Sequence, residues 1–155
     1  MEPDSESERR RVVDIAREAL AAIHVDAEDQ VAAVVSAADA RDVMLLLFGE
    51  CSAMVAALGS GGSAPVKMQV FDNDGQEVPI DEADPPVRTA VRTLLAEVHG
   101  DKESARAHIE IALANAAPEE MATLMVQALR WTMRLSDECT TRELPVAEWI
   151  AEALS

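Results

Sequence analysis

Two stretches of this chain, residues 12–28 and 87–103, repeat one another at an offset of 75. Val12, Ile15, Ala16, Ala19, Leu20 and Ile23 recur at the spacing of a helix face buried on one side. Arg10, Asp14, Arg17, Glu18 and His24 fall on the opposite side. Val87, Ala90, Val91, Leu94, Leu95 and Val98 repeat that face, and both stretches close on His-x-Asp-x-Glu. Seven of 17 aligned positions are identical, including Arg17/Arg92, Leu20/Leu95 and His24/His99. Shared helical periodicity inflates such a match, but the His-x-Asp-x-Glu joint lies outside the apolar pattern. A duplicated helical unit is therefore the strongest constraint on the fold.

Beyond the joint the offset becomes 78, about one extra helical turn. Val31, Val34, Val35 and Ala38 mark a second, shorter helix and match Ile109, Ala112, Leu113 and Ala116. Third helices follow, with Val43, Leu46, Leu47 and Cys51 against Met121, Leu124, Met125 and Leu129. Asp39 is placed to cap the first of these, and Pro118-Glu119-Glu120 opens the second. The glycines of "GSGGS" at 59–63 stop the first third helix. "VKMQVFDNDGQEVPI" alternates like a strand pair around a DNDG turn, which predicts a short hairpin near 66–80. Asp84 and Pro85 then read as the start of the next helix.

The expected architecture is mainly α, a single-domain bundle of two pseudo-repeated three-helix units. Residues 1–7 form a disordered tail, 8–58 the first unit, 59–84 the linker and hairpin, 85–136 the second unit, and 145–154 a C-terminal helix. Both third helices are apolar over most of their circumference, which puts them at the centre. Residues 121–135 keep one polar stripe of Thr123, Gln127, Arg130 and Arg134.

The joint has two readings. His24, Asp26 and Glu28, with His99, Asp101 and Glu103, resemble metal-ligand sets, yet His108 is the only further histidine. A helix stop-and-start explains each residue type better. Asp26 and Asp101 stand where an N-cap is needed, Glu28 and Glu103 suit the first turn, and His24 and His99 suit the last. No metal ligand set and no cofactor are assigned.

Charge narrows the partner classes. The formal net charge is −16, from 29 acidic and 13 basic residues, and only Lys67 and Lys102 are lysines. Such a surface repels nucleic-acid phosphates and anionic lipid, and suits a basic protein partner. Arg over Lys with abundant Ala points to a high-GC, bacterial genome. Cys51 and Cys139 have no metal or disulfide spacing. The most apolar run, residues 43–58, is short for a membrane span and contains Glu50. A cytoplasmic protein without a membrane partner is expected.

Glu50 is the main anomaly, with Leu46, Leu47, Ala53 and Met54 as helical neighbours and Ala128 at the matching position. A carboxylate on an apolar face pairs, becomes neutral, or faces a cavity or partner. An ion pair with Arg130 or Arg134, or a solvent edge, is the structural reading. The alternative is a ligand-binding or catalytic pocket lined by Met44, Leu47, Met54, Met125 and Trp131. No P-loop, nucleophile elbow or catalytic triad pattern is present, and no catalytic residue is assigned. Ligand-binding candidates are Glu50, Met54, Arg130, Trp131 and Arg134. The expected function is non-enzymatic protein–protein interaction, with a homodimer suggested by the apolar excess of Met44, Leu45, Phe48 and Val55.

Overall fold

The computed structural model describes residues 2–59, 70–71, 76–79 and 82–155, with the side chains of 2–5 and 70–71 outside that description. Helix α1 (Glu2–His24) leads into a 3-10 turn (Glu28–Gln30) and the single-turn α2 (Val31–Val34). Helix α3 (Ala40–Leu58) precedes strands β1 (Val70–Phe71) and β2 (Glu77–Val78). Then come α4 (Pro85–Val98), α5 (Lys102–Asn115), α6 (Pro118–Thr141) and α7 (Glu148–Ala153). This is a mainly α helical bundle. The strands pair antiparallel, Val70 with Val78 and Phe71 with Glu77, as a hairpin centred on DNDG requires. The turn residues 72–75 themselves, and residues 66–69, lie outside the described residues.

Helices α3 and α6 form the centre. Met44, Leu47, Phe48 and Cys51 of α3 are fully buried, as are Ala128, Leu129 and Thr132 of α6. Helix α1 closes one side with Ala16, Ala19 and Leu20 fully buried, the face that its periodicity marks. Helices α4 and α5 add Ala90, Val91 and Ile109, and α7 adds Ile150. The Phe48 ring meets Trp131 edge-to-face, with centroids 6.2 Å apart and planes at 76°. Met44 and Phe48 thus fill this chain's own core.

Three local expectations are corrected. The chain is helical from Glu2 rather than from residue 8; Pro3 falls in the first turn, where its missing N–H leaves no bond unmade. Helix α6 continues to Thr141, past the expected end at 136. The second helix of the first half is only four residues long, because Val35 turns extended (φ −105°, ψ 109°). Its counterpart α5 runs for 14 residues. β-Branched Val34-Val35 followed by Ser36 favours that break, and Ser36 bonds locally to the Asp39 carboxylate at 3.0 Å.

The two joints also differ. Asp101 caps α5 as expected, its carboxylate accepting from the Ser104 backbone N–H at 3.0 Å. Gly100 supplies the left-handed step there, at φ 78°. The first joint has Val25 at that position, and the left-handed step moves to Asp26, at φ 59°. Asp26 is therefore not a cap; Ala27 occupies that position without a side-chain bond. A β-branched valine is poorly suited to positive φ, whereas aspartate tolerates it.

Candidate functional site

Glu50 lies half-buried on α3, and its Oε2 accepts a 2.9 Å hydrogen bond from Trp149 Nε1 of α7. The expected ion pair with Arg130 or Arg134 is absent. Arg130 instead donates to Glu28 Oε1 at 2.6 Å, tying α6 to the first joint. Arg134 lines a hollow with Arg130, Met133, Ile23, Asp26 and Glu28. Met54 is buried at the far end of α3, where its carbonyl faces the Cys139 thiol at 3.9 Å. Trp131 is engaged with Phe48. Of the five candidates, Arg130 and Arg134 share a hollow, while Glu50 is drawn to the α7 interface.

A different depression has the character of a binding surface. A groove of about 400 Å³ opens where α2 ends early. Val31, Ala32 and Val35 form one wall, and Pro118, Met121 and Ala122 form the other. Met44 and Met125 lie at its floor, and no charged residue lines it. The opposite wall is held by the start of α6, where Glu120 Oε1 accepts from the Ala117 backbone N–H at 3.1 Å. That carboxylate makes one half of a capping box; Ala117 has no side-chain oxygen to make the other.

A second depression, of about 390 Å³, is polar at its mouth and lies among α1, α3, α4 and α5. Glu97 lines it with only 6% of its side chain exposed, and Lys102 Nζ lies 3.3 Å from its Oε1. Sequence reasoning missed Glu97. The signal was there, since Glu97 matches the buried Ala22 at the offset of 75, as Glu50 matches Ala128 at 78.

The thiols are structural in character. Burial pushes the Cys51 thiol up to about 12, only partly offset by its contact with Thr132 Oγ1 at 3.3 Å. Burial also raises Cys139. Among the described residues, no group of three or more His, Cys, Asp or Glu is arranged to hold a metal ion. Nor is any helix among them long and apolar enough to cross a membrane. No protein-family model matches the chain, and no curated protein or solved structure matches it.

Proposed function

We propose that this chain is a non-enzymatic protein–protein interaction module that receives the apolar face of a basic helical segment of a partner protein. The observation carrying this reading is the uncharged groove walled by the partly exposed Met121, with Met44 and Met125 buried beneath it. Methionines are unbranched and polarizable, so a surface built from them adapts to different apolar side chains. A helix presenting apolar residues at i, i+3 and i+4 offers the chemistry that such a groove accepts. The formal charge of −16 around it attracts a basic segment and speeds encounter. The same charge opposes a second copy of this chain, which makes the homodimer the weaker occupant. Two unbridged, buried thiols agree with a reducing, cytoplasmic setting.

The test is calorimetric titration with a lysine–leucine amphipathic peptide and with its scrambled isomer of equal charge. Binding of the first alone supports the groove, because electrostatics is the same for both. Ala122→Arg, at an exposed wall position, should abolish that binding without lowering thermal stability. Equal binding of the two peptides, or binding unaffected by Ala122→Arg, overturns the proposal. Dimerisation by light scattering that Ala122→Arg abolishes would assign the groove to a second copy instead.

A further inference from the structure

The depression at Glu97 presents an unusual balance of charge. Its three carboxylates each have a cation: Glu8 has Arg11 at 3.2 Å, Asp42 has Arg41 at 3.3 Å, and Glu97 has Lys102 at 3.3 Å. Two lining cations, Arg9 and Arg106, have no ion pair with a described carboxylate. Arg10 and Arg134 share that condition elsewhere; what sets this opening apart is that two such guanidiniums line one hollow with a nearly buried carboxylate.

The compensation of Glu97 is also uneven. Its side chain is 6% exposed, while that of Lys102 is 82% exposed. A carboxylate taken out of water needs close, directed partners, and an ammonium that stays in solvent is a heavily screened one. Glu97 Oε2 faces the helix backbone at Gly49, where an added Cβ would lie 3.4 Å away. Val12, Leu45 and Leu46 give the hollow an apolar wall, and its exposed rim carries charges of both signs.

We propose that this depression binds a small zwitterion, an amino acid with an apolar side chain. Its ammonium joins Lys102 on the Glu97 carboxylate. Its carboxylate is held by Arg9 and Arg106, which offer planar, multiply donating groups suited to it. Its side chain rests on Leu45 and Leu46. Arg106 lies one turn along α5 from Lys102, so both cations project from the same face. The volume, about 390 Å³, falls in the range of small-ligand pockets. This site is separate from the methionine groove and does not depend on it.

The experiment is calorimetric titration of the full chain with L-leucine, N-acetyl-L-leucine and L-leucinamide at millimolar concentration. Leucine should bind, and each blocked analogue should bind roughly ten-fold more weakly, the loss of one charge-assisted interaction. Arg106→Ala, at an exposed position, should erase the preference for leucine over leucinamide. Glu97→Gln should erase its preference over N-acetyl-leucine; Arg106→Ala keeps the test intact if that buried change prevents folding. No leucine binding, equal binding of the three compounds, or an unaltered preference in Arg106→Ala overturns the proposal. Binding of N-acetyl-leucine as strong as leucine would likewise overturn it and leave a simple anion site.

Discussion

Trp149 Nε1 and Glu50 Oε2, 99 residues apart in the chain, are joined by a 2.9 Å hydrogen bond that fastens α7 to the central helix α3. The bond explains how a carboxylate stands in the most apolar stretch of the sequence. Glu50 gains a donor on one side and remains half-buried rather than sealed. Glu50→Gln retains an acceptor oxygen, so its stability should stay close to wild type. Glu50→Ala and Trp149→Phe should each cost roughly 1.5–3 kcal/mol, the usual net worth of a hydrogen bond to a charged group. Chemical denaturation checks both values. A red shift of tryptophan emission in Glu50→Ala would report the loosened α7.

Phe48 is fully buried and meets Trp131 across the α3–α6 contact. Phe48→Ala removes a large side chain at the centre of the bundle and leaves a void that neighbouring helices fill only in part. The expected loss is roughly 3–5 kcal/mol, read as a lower denaturation midpoint. A loss below about 1 kcal/mol would be out of line with a central position.

Much of this was legible in the residues. The apolar faces of α1 and α4 follow from 3.6-residue periodicity, and Asp101 caps α5 because its side chain acts within one turn. The early end of α2 was not legible, since Val31, Val34 and Val35 keep helical spacing although the chain turns extended at Val35. Spacing records which residues are apolar, whereas the break comes from backbone preference and the Ser36–Asp39 bond. The Glu50–Trp149 pairing was invisible for another reason: no local pattern links a helix to a segment so distant in sequence. Glu97 could have been found by comparing the two halves position by position.

Both thiols are buried and free, and burial holds Cys51 up at about 12. The reactive species is the thiolate. Native protein should therefore react with neither thiol at neutral pH under an aromatic disulfide reagent, and denatured protein should react with two. Rapid labelling of Cys51 in the native state would contradict the core described above.

Asp39 and Arg11 give the acid response. The Arg11 guanidinium, 2.8 Å away, is the main cause that lowers Asp39 below the ordinary aspartate range, and Ser36 adds to it. A carboxylate lowered on folding stabilises the protein above its unfolded pKa, near ~3.9. That contribution disappears as pH falls through the lowered value. Asp39→Asn should accordingly be less stable than wild type at neutral pH, and the gap should close on the acid side of the ordinary range. Melting temperatures of both proteins across that range check the sign.

The methionine methyl groups offer the most direct view of the proposed interface. With 13C-labelled methionine methyls, titration of the lysine–leucine amphipathic peptide should shift Met121 and Met125, which border the groove. Met54, buried near Cys139, and Met133, on the Arg130–Arg134 hollow, should stay in place. Shifts confined to Met54 or Met133, or no shift at Met121 and Met125 under saturating peptide, would contradict the groove as the binding surface.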